Sequence, residues 1–163
     1  MALIIIILIL FTIIIISSIS IIVLYNKNKK KDTISFKESL ELTELPIITF
    51  YNGKTKLNFL LDTGSNVSYI NNSIISKCTI ISKEGYGTSM GIEGTKKETN
   101  LCKMNISHNN KEYSELFHII DLNTPFAAIK KESGVQIHGI LGNNFFKKYR
   151  YILDFDSLLF YYK

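Results

Sequence analysis

Phe59-Leu60-Leu61 runs without a break into Asp62-Thr63-Gly64-Ser65. An apolar strand that ends on turn-forming residues delivers a carboxylate to the rim of a sheet, and no other stretch constrains the fold as tightly. Leu57, Phe59 and Leu61 alternate with Lys56, Asn58 and Leu60, so one face of the strand is a core face and the other turns apolar only beside the turn. Far downstream, Gly139-Ile140-Leu141-Gly142-Asn143 sets two apolar residues before a glycine. One Asp-Thr-Gly is present, with no second copy and no internal repeat.

Short β-rich runs surround both segments. Residues 47–51 and 56–61 flank Asn52-Gly53, a strong hairpin signal, and a strand resumes over 66–70. Residues 88–94 and 95–106 read as two arms around a glycine-bearing tip, and 104–106 and 113–120 as a hairpin around His108-Asn109-Asn110. A strand over 136–141 enters Gly142, and Asn143 is an N-cap candidate for a short helix carrying Phe145, Phe146 and Tyr149. Strands over 151–154 and 158–162 close the chain around Asp156-Ser157. This pattern predicts an all-β domain, mainly β with one or two short helices, of sandwich or barrel type. Residues 46–163 hold one core and are too few for two lobes.

The first residues belong to something else. Residues 2–24 form an apolar run broken only by Thr12, Ser17, Ser18 and Ser20. At about 1.5 Å per helical residue, such a run can cross a hydrocarbon core of roughly 30 Å. Isoleucine is a poor helix former in water, but lipid forces the backbone to satisfy its own hydrogen bonds. Two readings stay open, an uncleaved transmembrane anchor over 1–24 and a signal peptide removed on export. The uncharged start, the length of the run and the lack of an Ala-x-Ala-like site favour the anchor.

Lys27, Lys29, Lys30 and Lys31 follow the run at once. The positive-inside rule then expects a single-pass membrane protein with its C-terminal bulk on the cytoplasmic side, the lysines touching anionic head groups. Four of the 19 Lys and Arg sit in that cluster, and the other 15 nearly balance 14 Asp and Glu, so no nucleic-acid partner is expected. Residues 25–45 are Lys-rich and then mildly amphipathic (Ile34, Phe36, Leu40, Leu42, Leu45). They read as a juxtamembrane tether with room for a short helix, ending at Pro46, where the folded domain 46–163 begins.

Cys78 and Cys102 lack metal-type spacing. On the cytoplasmic side they read as free thiols; on the other side they could pair. His108, His118 and His138 are scattered singly, which fits structural or surface roles, and no metal or cofactor is expected.

Asp-Thr-Gly at a strand end is ordinary turn chemistry, or it is a catalytic carboxylate. The context decides for the second: a hairpin, an apolar strand, Asp-Thr-Gly-Ser, a strand, a glycine-bearing hairpin, Ile140-Leu141-Gly142, a short helix and a closing hairpin. In this order residues 46–163 resemble the retropepsin-like aspartic proteases, the group holding retroviral proteases and their single-lobe relatives. The resemblance implies a single-lobe acid-protease fold with Asp62, Thr63 and Gly64 as the catalytic loop and with Ser65, Ile140, Leu141 and Gly142 supporting it. It implies a flap over substrate at Met90-Gly91-Ile92-Glu93-Gly94, although Gly85, Gly87 and Gly91 allow other registers.

With one carboxylate per chain, the resemblance implies a homodimer acting on a protein or peptide. Two carboxylates about 3 Å apart cannot both ionise comfortably, so they share a proton and supply acid and base from one residue type. Gly64 lets the backbone approach the carboxylate, Thr63 offers a hydroxyl across the two-fold axis, and Ser65 offers one to the outer carboxylate oxygen, which would favour an acidic optimum. The expected function is a membrane-anchored aspartic endopeptidase. The alternatives are a non-catalytic binding or dimerisation module on the same fold and a secreted protease freed by signal cleavage.

Overall fold

A computed structural model of the chain describes residues 11–20, 34–90 and 95–163. The chain divides into two units, Met1–Lys30 and Lys31–Lys163. In the first, residues 11–20 are helical (α1), and Ser17 and Ser18 both donate to the Ile14 carbonyl at 2.8 Å. Most of the expected anchor over 1–24 lies outside the described residues, among which no helix is long and apolar enough to cross a membrane.

The second unit carries α2 (Phe36–Thr43), β1 (Ile47–Asn52), β2 (Thr55–Leu61), β3 (Ser68–Asn71), a 3-10 helix (Asn72–Lys77), β4 (Ser82–Met90), β5 (Lys96–His108), β6 (Lys111–Ile120), α3 (Asn123–Ser133), β7 (Gly139–Leu141), α4 (Asn143–Tyr149), β8 (Tyr151–Asp154) and β9 (Leu159–Tyr162). Seven strands form one sheet in the order β1-β2-β7-β3-β6-β5-β4. Tyr51 of β1 also pairs with Ser107 of β5, so six strands close on themselves and β4 extends outward from β5. β8 and β9 make a separate hairpin.

The closure follows from alternation. Leu57, Phe59 and Leu61 of β2 and Ile48 and Phe50 of β1 point into the main core, where Phe59 and Phe117 stack at 5.5 Å and Phe50 meets Phe145 edge-on. The opposite faces of the same strands present Ile47 and Leu60 to a second cluster with Ile34, Leu122, Phe126, Val135 and Ile137. Strands buried on both faces need cover on both. On the second side α3 supplies it with Phe126 and Ile129, joined by Ile34 and Leu45 from either end of the α2 segment. The helix α2 itself sends Phe36 and Leu40 into the main core.

That cover moves the expected boundary. The segment read as a tether up to residue 45 is part of the compact unit: Ile34, Phe36 and Ser39 are buried. The Ile34 amide donates to Thr49 Oγ1 at 2.6 Å, and the Ile47 amide donates to Ser39 Oγ at 2.9 Å. Ser35 caps α2 by accepting from the Glu38 amide. The mild amphipathicity of 34–45 is a core-facing stripe, so the folded unit begins upstream of Pro46.

Other differences are local. The hairpin turn is Gly53-Lys54, with Gly53 at φ +57° and Asn52 the last residue of β1. Asn109 and Asn110, both at positive φ, make the two-residue turn between β5 and β6 that their side chains tolerate. The arms β4 and β5 are longer than expected and pair from Ser82 to Met90, with a bulge near Gly85 at φ +77°. β7 is three residues rather than six. Gly142, not Asn143, is the N-cap of α4. The helix α3 was not expected at all, although Asp121 accepting from the Asn123 amide, Pro125 in the first turn and Gly134 at the end are start and stop signals. Cys78 and Cys102 are free thiols, and burial pushes the Cys102 thiol up to about 11, the nearby Cys78 adding to the shift.

Candidate active site

β7 is threaded between β2 and β3, parallel to the first and antiparallel to the second. Leu61 therefore pairs with Leu141 where both strands end, and the Asp62 amide donates to the Leu141 carbonyl at 3.0 Å. Leu141 itself is wholly buried in the main core, while Ile140 packs on the second cluster. The two apolar residues before Gly142 thus anchor the turn to both cores at once.

The turn is tied down from each side. The Gly64 amide donates to Asp62 Oδ1 at 2.9 Å and fixes the carboxylate's orientation. The Ser65 amide donates to the Asp62 carbonyl at 3.2 Å, and the Asn143 amide donates to the Ser65 carbonyl at 2.7 Å. Gly142 lies flat against the turn: a Cβ there would sit 2.9 Å from the Ser65 carbonyl oxygen and 2.6 Å from the Val67 carbonyl carbon. Gly139 is equally confined, its absent Cβ falling 2.7 Å from a Phe59 ring carbon. Asp62 is partly exposed, and Thr63 and Gly64 are exposed at the apex.

The Ser65 hydroxyl is used differently from the expectation. It donates to the Val67 carbonyl at 2.8 Å, closing the turn on itself. Its single proton is committed there and not to the outer oxygen of Asp62.

Residues Gly64, Ser65, Asn66, Val67 and Tyr69 form one wall of a cleft of about 410 Å³, and Thr88, Ser89 and Lys96 from β4 and β5 form the other. The two arms therefore stand beside the Asp62 turn, and Met90 pairs with Lys96 at their end. The rest of the expected flap, Gly91, Ile92, Glu93 and Gly94, lies outside the described residues.

Sequence reasoning missed the polar group beneath the turn. Glu115 of β6 is 1% exposed between Tyr113 and Phe117, both core residues. Ser68 Oγ donates to its Oε1 at 2.8 Å, Asn144 Nδ2 donates to the same oxygen at 2.7 Å, and Lys148 Nζ lies 3.7 Å from Oε2. Burial pushes its carboxyl above the ordinary carboxylate range, against the pull of those partners. The signal was present in Tyr113-x-Glu115-x-Phe117, an acid in phase with two aromatic core positions. The histidines make structural contacts: Thr99 Oγ1 lies 2.6 Å from His118 Nδ1, whose ring packs behind Tyr69 of the cleft wall at 5.7 Å, His108 Nδ1 lies 3.1 Å from the Thr49 carbonyl, and His138 Nδ1 accepts from the Asn58 amide.

A carboxylate at a sheet rim, oriented by the second amide after it and seated on an apolar-apolar-glycine strand, bounds comparison with known proteins. The family described as Aspartyl protease matches residues 48–145, from β1 into α4. No curated protein matches the sequence. Among solved structures, EIAV protease complexed with the inhibitor HBY-793 is 19% identical over 64% of this chain and 86% of its own, with a TM-score of 0.49. The retroviral protease-like domain of Ddi1 from Leishmania major is 9% identical over 73% of this chain and 87% of its own, with a TM-score of 0.48. A retropepsin-like aspartic protease from Rickettsia conorii is 15% identical over 68% of this chain and 75% of its own, with a TM-score of 0.40. Since the family match spans more than half of the chain and takes in both the Asp62 turn and Gly142, this protein belongs to the aspartyl protease family.

Proposed function

We propose that the protein is a membrane-anchored, homodimeric aspartic endopeptidase. One observation carries the reading: Asp62 is held through its amide by Leu141 and through Oδ1 by Gly64, yet it remains partly exposed beside an open cleft. A carboxylate fixed that firmly at a surface is prepared for a second one. Two-fold pairing brings the partner subunit's Asp62 to the same point, with Thr63 at the axis.

The ionised member of the pair takes a proton from water as the water oxygen attacks the peptide carbonyl carbon. The protonated member gives its proton to the carbonyl oxygen. The tetrahedral adduct then collapses: the C–N bond breaks, and the amine leaves with the proton first removed from water. One hydroxyl of the adduct returns its proton to the other carboxylate as the carbonyl re-forms, restoring the pair. Thr88 and Ser89 on the arms and Asn66 on the turn offer side-chain polar groups to an extended peptide in the cleft. The apolar run 2–24 and the lysines after it support anchoring with the protease unit on the cytoplasmic side, and confinement to a membrane raises the effective concentration for dimerisation.

The test compares the full chain with Asp62→Asn on a diverse peptide pool across pH, products being read by mass spectrometry. Cleavage by the wild type alone is the expected result. A folded, dimeric wild type that cuts nothing supports a binding module instead.

A further inference from the structure

Beneath the Asp62 turn lies a carboxylate that peptide hydrolysis itself does not use. Glu115 is sealed from solvent, and its partners come from the two elements that carry the turn. Ser68 begins β3, the strand into which the turn runs, while Asn144 and Lys148 lie on α4 just past Gly142. Ser68 Oγ also accepts from the Gly142 amide at 3.2 Å. The bonds thus form a chain, Gly142 N–H to Ser68 O–H to Glu115, with Asn144 donating to the same carboxylate oxygen.

The charge sets the direction of this chain. An ionised carboxylate only accepts, so both Ser68 and Asn144 must donate to it. The Gly142 amide donates to Ser68 Oγ whatever the charge at 115, so what the charge fixes is the direction of the Ser68 proton and with it the lone pair turned toward Gly142. Ser68 Oγ also lies 3.1 Å from Asn144 Oδ1, so a group at 115 able to donate would permit the reverse order, with Ser68 donating to Asn144. Gly142 backs directly on the carbonyls of Ser65 and Val67, so the orientation of the Ser68 hydroxyl that holds its amide reaches the turn that carries Asp62.

We propose that ionised Glu115 is a positioning residue for the Asp62 turn, fixing it through Ser68 and Gly142. Its catalytic consequence rests on the peptidase reading. Fold stability is no reason to keep a charge there. A carboxyl raised by burial contributes stability that is full below the ordinary carboxylate range and lost as pH rises through the folded value. Around it, β5 presents Met104 directly opposite, β3 presents Ser68, and α4 presents Asn144 and Lys148, the charged group facing it among the described residues.

The experiment uses the full chain in detergent, as wild type and Glu115→Gln, and reads melting temperature, kcat and KM across pH, and amide chemical shifts. The expected Gln variant melts no lower than wild type at neutral pH and keeps its KM. Its kcat falls roughly fivefold to tenfold, as when a charge-assisted bond becomes a neutral one. Its acid limb moves to lower pH because nothing at 115 titrates. In the wild type the Gly142 and Gly64 amides shift together with the Glu115 carboxyl carbon. Amides that stay still while that carbon titrates, or an unchanged kcat and pH profile in the Gln variant, overturn the proposal. If wild type shows no Asp62-dependent cleavage, the peptidase reading falls, while the amide titration still decides what Glu115 holds.

Discussion

Gly142 and Val67 are packed backbone against backbone, so closely that a Cβ on Gly142 would lie 2.6 Å from the Val67 carbonyl carbon and nearer still to its oxygen. No rotamer relieves this, because the obstructing atoms are main chain. Gly142→Ala must therefore push the 65–67 segment away from α4 and strain the 2.7 Å bond from the Asn143 amide to the Ser65 carbonyl. Overpacking of this kind costs about 1–3 kcal/mol, and main-chain obstruction places it at the upper end. Thermal unfolding should show the loss, together with loss of any Asp62-dependent cleavage. An Ala variant with wild-type melting and turnover would contradict the geometry.

The segment before Pro46 offers a second test. Thr49 Oγ1 accepts from the Ile34 amide at 2.6 Å and donates to Asn58 Oδ1 at 2.7 Å, all in the interior. Thr49→Val keeps the shape but leaves a buried amide hydrogen and a buried carbonyl oxygen without that partner, for about 1–3 kcal/mol. A chain beginning at Pro46 should lose more, since Ile34 and Phe36, 2% and 3% exposed, each contribute about 1.5–3 kcal/mol by burial. Denaturant unfolding of the two against the full chain gives the ranking. Equal midpoints for all three would return residues 34–45 to the role of a tether.

These two regions mark what could be read from residue order alone. β1, β2 and the closing hairpin were legible because alternation and turn residues are local signals, and the Asp62 turn was legible because its motif is. The threading of β7 between β2 and β3 was not, since pairing between Leu61 and Leu141 leaves no trace near either. Asn52 shows the same limit. It reads as the first residue of an Asn-Gly turn, but its side chain donates to the Thr79 and Asn105 carbonyls and accepts from the Thr79 amide. Ser65 and Glu115 failed for the same reason, their roles being set by groups that only the fold brings near.

Acid stability follows from the imidazoles. Burial lowers His118 and His108 below the ordinary histidine value, with the bond to the Thr49 carbonyl opposing it at His108. The unfolded chain then takes up protons at a higher pH than the folded one. Their stabilising contribution is complete above the ordinary histidine range and is lost as pH falls through the lowered folded values. The melting temperature should drop from about pH 6.5 downward, and the drop should be shallower in a His108→Gln, His118→Gln variant. Glu115 acts in the opposite sense, so in Glu115→Gln, which lacks that compensation, the acid drop should steepen. Identical pH slopes in all three proteins would show that these groups titrate alike in both states.

The cleft between the Asp62 turn and the arms makes the last prediction. Ser89 on β4 faces Gly64, Ser65 and Asn66 across a space of about 410 Å³. Its neighbours there, Thr88 and Lys96, are exposed, so Ser89→Phe can place its ring in the cleft without displacing core. The melting temperature should hold. If an extended peptide lies in the cleft, the ring removes binding common to ground and transition states, so KM should rise roughly tenfold while kcat stays within about twofold. A variant with unchanged KM would place the substrate elsewhere along the arms. One that lost kcat at constant KM would instead show that the ring disturbs Asp62 itself, through the Gly64 amide that bonds its carboxylate at 2.9 Å.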